Sequence, residues 1–337
     1  MFEHFFMHML PKKVSENGVR FKPTLYLGAM LVMLFMFLSV SGLLLLFYYT
    51  PERSQAFASI LFLEEKVFLG SFFRSFHRMS SHIFLIVLSA HMLRVIFSGA
   101  YKVRTYSWRL GLFIFTLIIF EAYAGYLLPM DQLSWWAAKT GLELMKSLPI
   151  GGILESILAP DGIGSRLTLT RYFALHIVVI PMFLIVLVSV HMFAVRRQGL
   201  SIEGMKVSSD KLKSRLIILF VVMFMSVIIL SIFIGAPLTL EADPTTPPNP
   251  AKSAWFLLWL QEIVSWRTWY INFVMLVYIT MFFLPELSRR KSGFGWFSFD
   301  DRPVWISVLL MVIIILVLTI IAMFFRGADW SFGLYFS

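Results

Sequence analysis

The chain contains no cysteine. Disulfides, thiolate zinc sites, iron–sulfur ligation and covalent c-type haem attachment are therefore excluded within it, and any redox centre must be held by other ligands. Charge is scarce too: 14% of the 337 residues are charged, against about 25% in an ordinary soluble domain. With 59% hydrophobic residues the sequence is unlike a cytosolic enzyme, and most of it is expected in lipid. The acidic residues are outnumbered, 19 to 29, giving a formal net charge of +10. In a membrane chain that excess belongs to cytoplasmic loops rich in Lys and Arg, so no nucleic-acid partner is expected. The N-terminus also lacks the basic tip, apolar run and small-residue cleavage site of a secretory signal. Residues 1–23, with His4, His8, Lys12 and Lys13, read as a retained amphipathic segment on the cytoplasmic membrane surface.

What is present is a series of long apolar runs. Seven stand out, at about Thr24–Tyr49, Phe76–Phe97, Leu110–Leu128, Tyr172–Val195, Leu216–Ile234, Thr268–Leu284 and Val304–Phe325. Each is long enough to cross a bilayer with some tilt. The fold class expected is an all-α, polytopic integral membrane protein with seven transmembrane helices. Lys and Arg outside the spans divide 17 to 10 between the two sides, which places the N-terminus in the cytoplasm and the C-terminus outside. A polar stretch at Gly199–Arg215 separates a four-helix part, residues 24–200, from a three-helix part, residues 201–337. Two outer connections are long, Pro129–Arg171 and Pro237–Arg267. Loops of that length are expected to carry surface helices over a site.

Four of the seven histidines lie inside spans as two pairs, His77/His91 on the second and His176/His191 on the fourth. Their spacings are 14 and 15. On an α-helix 14 residues span about 21 Å and return to within about 40° of the same face, while 15 span about 22 Å and return to about 60°. The two spans run in the same direction, so His77 is level with His176 and His91 with His191. Two level histidines on facing helices can supply both axial ligands of a haem iron, which offers two stacked, non-covalent haem b sites. An ionisable ring in lipid needs a partner, and here each would have the same one.

A flat, wide haem requires close approach of neighbouring backbones, which glycine permits. Gly28 and Gly42 on the first span, and Gly111 and Gly125 on the third, repeat the interval of 14. Arg74, Arg78 and Arg94 lie a turn or less from the histidines and can neutralise haem propionates. His82, five residues from His77, points to another face and reads as structural.

At this point the residues resemble a family: cytochrome b of the quinol-oxidising Rieske/cytochrome b complexes. The likeness covers most of residues 20–200. It is carried by Phe47-Tyr48-Tyr49, Ala56-Phe57-Ala58-Ser59, Arg74-Ser75-Phe76-His77-Arg78, His91-Met92-Leu93-Arg94, the run Gly125 to Gln132, the run Leu167 to His176, and His191 followed by Arg196-Arg197-Gln198-Gly199. The interval of 15 and a three-helix second half resemble the chloroplast and cyanobacterial type, here with its cytochrome b and subunit IV halves fused. By this resemblance His77 and His176 hold an outer, low-potential haem iron, and His91 and His191 an inner, high-potential one.

Two departures matter. The chloroplast type attaches a further haem through a cysteine near its first span, and the matching Leu25-Tyr26-Leu27-Gly28 has none. The family also carries a Pro-Glu-Trp-Tyr motif whose Glu is thought to accept a quinol proton, where this chain reads Ser253-Ala254-Trp255-Phe256. Either Glu262, about two turns later, takes that catalytic role, or quinol oxidation is altered or lost at the outer site.

The resemblance implies a dihaem cytochrome b of a bacterial cytoplasmic-membrane quinol oxidoreductase. It moves electrons between an outer quinol site, under Pro129–Trp136 and Pro250–Glu262, and an inner quinone site, with proton translocation. Arg20, Lys22 and Arg196 are the candidate groups near the inner site. Implied partners are a Rieske iron–sulfur protein, c-type cytochrome subunits or both, together with quinone, membrane lipid and a second copy of the complex. A second reading is a non-bifurcating dihaem anchor that exchanges electrons between quinone and an attached dehydrogenase or multihaem cytochrome. A third is a colourless transporter or scaffold whose histidines carry protons.

Overall fold

Backbone in lipid must satisfy its own hydrogen bonds, so long apolar runs without breakers become helices. The computed structural model describes residues 13–15, 25–197, 206–290 and 295–335. Its main helices are α1 (Leu27–Leu46), α2 (Ala56–Lys66), α3 (Gly70–Phe97), α4 (Thr105–Leu127), α5 (Gln132–Lys146), α6 (Gly151–Leu158), α7 (Arg166–Ala174), α8 (Ile180–Arg197), α9 (Asp210–Ile234), α10 (Leu258–Trp266), α11 (Tyr270–Phe282) and α12 (Arg302–Phe324). The only strands among the described residues, β1 (Lys13–Ser15) and β2 (Lys206–Ser208), pair antiparallel. Apart from β1, the expected surface segment 1–23 lies outside the described residues.

Six helical stretches are long and apolar enough to span: α1, α3, α4, the continuous 166–197 stretch, α9 and 299–324. The seventh expected span is shorter. Helix α11 has 13 residues, about 20 Å, and ends at Phe283 before a separate turn, Leu284–Leu287, that carries Pro285. Pro285 fits the first turn of a new helix, where its missing N–H costs nothing, but not the interior of a continuing one.

The 166–197 stretch is not uniform. A π-helical turn, Leu175–Val179, joins α7 to α8 and contains His176. A π turn accommodates one extra residue. The interval of 15 between His176 and His191 therefore has roughly the angular phase of an α-helical interval of 14, which removes the offset expected from the sequence.

Helix α1 packs on α3, and α8 on α4, while α9 lies against α3 and α1. Their shared interior is apolar, built from Leu34 and Phe37 of α1, Phe76 and Phe84 of α3, Ile114 and Ile118 of α4, Leu184 of α8 and Val227 of α9. Rings of Phe37, Phe76 and Phe224 meet at 5.5–5.9 Å between centres. These contacts carry α9, which follows the polar 198–205 stretch, onto the four helices before it.

Loops clasp at both ends of the bundle, here termed outer and inner after the expected orientation. At the outer end Asp131 caps α5 through Ser134 N–H at 2.9 Å and accepts Thr239 N–H at 3.0 Å. Gln132 N–H donates to the Leu240 carbonyl at 2.8 Å. At the inner end buried Asp301 accepts from Tyr101 Oη at 2.7–2.8 Å and Ser288 Oγ at 2.9 Å. The two long outer connections do contain surface helices: α5, α6 and α10.

Candidate functional site

The histidines of α3 face those of the 166–197 stretch. At the outer level the His77 and His176 ring centres are 6.2 Å apart. Two imidazoles bound to opposite sides of one metal, with metal–nitrogen distances of about 2.0–2.1 Å, have ring centres about 6 Å apart. Each ring also has its other nitrogen committed. His77 Nδ1 lies 2.9 Å from Ser41 Oγ, whose own proton goes to the Phe37 carbonyl at 2.7 Å. The Ser41 oxygen is therefore the acceptor and Nδ1–H the donor. His176 Nδ1 sits 2.9 Å from Glu121 Oε1 and 3.1 Å from the Glu121 carbonyl, so it too is the protonated nitrogen. Both tautomers leave Nε2 with its lone pair free, as in metal-binding histidines whose second nitrogen is tied by an outer partner.

At the inner level His91 and His191 stand within electrostatic reach of one another. Cations surround them: Arg94 acts on His91, and Arg104 on His191.

All four glycines at the interval of 14 abut a histidine ring. A Cβ on Gly42 would lie 3.2 Å from His77 Cε1, and one on Gly28 would lie 3.8 Å from His91 Cε1. On α4, a Cβ at Gly125 would meet His176 Cε1 at 2.5 Å, and one at Gly111 would meet His191 Cε1 at 3.3 Å. Gly42 and Gly125 thus mark the level of His77/His176, and Gly28 and Gly111 that of His91/His191. The expected close approach is here a ring edge seated on backbone, which leaves no room for a side chain at Gly125.

Two levels of paired histidines, the outer pair with both Nδ1 atoms tied, in an apolar surround with arginines nearby make a donor set that fits haem b. Of the three arginines expected near propionates, Arg74 is engaged by an ion pair with Glu64 and by the Ala236 carbonyl at 2.6 Å. Arg78 Nε lies 3.3 Å from His82 Nε2, and Arg94 stays by the inner pair.

Glu262 has a different environment from a free proton acceptor. It is fully buried. Its oxygens take Arg326 Nε at 3.1 Å and Nη2 at 2.5 Å, Trp266 Nε1 at 2.9 Å and Trp330 Nε1 at 3.1 Å. Burial alone raises a carboxyl pKa, but the Arg326, Trp266 and Trp330 bonds outweigh it and hold Glu262 below the ordinary carboxylate range. Its four hydrogen bonds leave little capacity for a substrate, and it ties α10 to the residues after α12. Trp255 reaches into the bundle instead, donating from Nε1 to His82 Nδ1 at 3.0 Å. Near the proposed inner quinone site, Arg196 closes α8, whereas Arg20 and Lys22 lie outside the described residues.

Sequence reasoning missed Ser41, Glu121 and the Trp255–His82 contact. Glu121 carried a signal, because a carboxylate within an apolar span marks a polar partner. Ser41 and Trp255 carried none, since their partners are 36 and 173 residues away.

Comparison with known proteins places the chain in a family. A family model described as cytochrome b (N-terminal)/b6/petB matches residues 82–250. The cytochrome b6 of Heliomicrobium gestii is 35% identical over 177 residues, covering 52% of this chain and 83% of that protein. The menaquinol:cytochrome c reductase cytochrome b subunit of Bacillus subtilis (strain 168) is 36% identical over 166 residues, covering 48% and 74%. A hyperthermophilic respiratory Complex III aligns with a TM-score of 0.77 at 25% identity, over 95% of this chain and 88% of that one. The family match covers half of the chain and the structural likeness nearly all of it, and on these grounds the chain belongs to the cytochrome b/b6 family.

Proposed function

We propose that the chain is the dihaem cytochrome b subunit of a membrane quinol oxidoreductase, moving electrons between an outer quinol site and an inner quinone site, with proton translocation. The observation that carries this reading is the outer pair: two imidazoles at the spacing for a shared metal, each with Nδ1 already bonded. Haem b, when bound, supplies a reversible one-electron couple. His77 and His176 hold the outer iron in this reading, and His91 and His191 the inner one. Ser41 and Glu121 fix the outer tautomers, and the glycines seat the rings. The apolar interior keeps water from both levels. Residues 24–200 then form the haem-binding half, and 201–337 a subunit IV-like half fused to it.

The names of the relatives, a cytochrome b6 and a menaquinol:cytochrome c reductase subunit, favour quinol as reductant. The second name also favours a cytochrome c as acceptor, and the family resemblance implies a Rieske iron–sulfur protein, c-type cytochrome subunits or both as partners. The absence of cysteine from the chain leaves covalent haem and iron–sulfur centres to those partners. The same reading places the protein in a bacterial cytoplasmic membrane, N-terminus inside and C-terminus outside, within a homodimer of complexes.

A non-bifurcating anchor is favoured by one observation, Ala254 at the place of the family glutamate. The purified complex separates the two readings. Addition of quinol and an oxidant, with the inner site blocked, is expected to drive oxidant-induced reduction of b haem, and a Rieske subunit is expected to copurify. Haem reduction by quinol that no oxidant stimulates, with only a dehydrogenase or multihaem subunit attached, contradicts bifurcation.

A further inference from the structure

Several carboxylates near the outer level are committed. Asp131 spends its two oxygens on the Ser134 and Thr239 amides. Glu64 pairs with Arg74, Glu262 is saturated by Arg326 and two indoles, and Glu121 holds the His176 ring. His82 is held differently. It sits five residues from His77 on α3, about 7.5 Å further into the bundle, half-buried, and is not part of either histidine pair.

The contacts of His82 are with donors on both sides. Trp255 Nε1–H points at Nδ1 from 3.0 Å, and Arg78 Nε–H faces Nε2 from 3.3 Å. A neutral imidazole has one lone pair and one N–H. It can satisfy one of these donors and must oppose the other. The shorter contact gives the lone pair to Trp255, so Nε2 carries the hydrogen and faces the guanidinium donor-to-donor. The Nε2 side calls for an oxygen that accepts from both Nε2–H and Arg78, while the Nδ1 lone pair is open to any hydroxyl that donates in place of the indole. Trp255 lies on the 3₁₀ turn Trp255–Leu257, which follows Ala254. Trp255 and Phe256 pack against the apolar cluster that contains Phe76 and Phe84 of α3. The ring therefore sits beside an apolar, aromatic surface, which suits a lipophilic hydroquinone.

We propose that His82 is the proton acceptor for quinol at the outer site, with Trp255 as the group that the quinol hydroxyl displaces from Nδ1. The proposal rests on the outer quinol site of the preceding subsection and gives that site its base. In the step, a quinol O–H bond breaks, its proton forms a new N–H bond at His82 Nδ1, and one electron leaves to an external one-electron acceptor of the iron–sulfur class. The protonated ring then has two N–H groups and cannot take back the Trp255 hydrogen bond, so the indole stays displaced until the proton departs.

The test uses the purified complex with a short-chain menaquinol analogue as donor and ferricyanide as terminal oxidant, in wild type, H82Q and H82E. Wild type unable to reduce its haems from the quinol overturns the outer quinol site itself, before any variant is compared. Given an active wild type, H82Q with unaltered haem bands is expected to lose about a hundredfold in rate, the scale of one acid–base group. H82E is expected to recover at least about a tenth of the wild-type rate, with the acid limb of its pH profile moved from that of wild type. H82Q within about twofold of wild type, with the same pH profile, overturns the proposal. Where H82Q loses its haem bands, H82E decides alone: a moved acid limb supports the proposal, and an unmoved one or complete inactivity with intact haem overturns it.

Discussion

The outer and inner histidine levels share one plan but differ in what surrounds it. Each pairs a residue of α3 with one of the 166–197 stretch, and each ring rests on a glycine. At the outer level the rings are tied by Ser41 and by the Glu121 carboxylate, and a Cβ added at the glycines would meet them at 3.2 and 2.5 Å. At the inner level the neighbours are Arg94 and Arg104, and a Cβ added at the glycines would meet the rings at 3.8 and 3.3 Å. A carboxylate on a ligand N–H increases the ligand's basicity and favours the oxidised metal, whereas nearby cations favour the reduced one. On the proposed function, a difference in potential between the two levels has its source in these side chains, since all four proposed ligands are histidines.

The comparison breaks most severely when a ligand is removed. H176L is expected to abolish the outer haem and leave the inner one, and H191L the reverse; optical redox titration, in which each variant retains one of the two transitions, checks this. Loss of both transitions in either variant would mean that the levels do not stand independently. The glycines sharpen the contrast further. G125A is expected to lose most of the outer haem because its Cβ has no space beside His176, while G28A, in ordinary contact at 3.8 Å, keeps full occupancy. Equal haem content in the two variants removes the distinction.

The clasps at the two ends form a third contrast. E262Q leaves Arg326 without its charge partner, at a cost of about 3–5 kcal/mol, whereas D301N retains the neutral donors Tyr101 and Ser288 beside a more distant Arg290 at 3.8 Å. Thermal unfolding is expected to show the larger loss for E262Q. Because Glu262 titrates below its unfolded value of about 4.3, its contribution is complete above that pH and is lost as pH falls through the depressed folded value. Wild type should therefore lose stability on acidification below about pH 4 more steeply than E262Q. The smallest effect is expected from S41A, which removes the His77 Nδ1 partner and weakens outer haem retention by about tenfold, measured by haem transfer to apomyoglobin, with the inner haem unaffected.

Much of this arrangement is legible in the sequence, and the exceptions have physical reasons. The histidine pairs and the four glycines repeat an interval that a helix converts directly into depth, so the levels could be read without coordinates. The one irregular interval, 15 between His176 and His191, pointed to a rotation of the ring; the π turn at Leu175–Val179 absorbs it, and no residue in that turn announces it. The expected seventh span, Thr268–Leu284, holds the shorter α11 because the helix closes at Phe283 ahead of the Leu284–Leu287 turn, an end that hydropathy does not register. Glu262 read as a free carboxylate because Arg326 and Trp330 are more than 60 residues away. The same distance effect hid Trp255 behind the structural reading of His82.

The central claim is that one chain holds two b haems, each between two histidines. Haem extracted from the purified complex with acid–acetone, which leaves covalent c-type haem on its protein, and quantified as its pyridine haemochrome against chain concentration tests it most directly. The expected result is two extractable b haems per chain, falling to one in H77L and in H91L alike. One haem or none in the wild-type protein, or two retained in either variant, contradicts it.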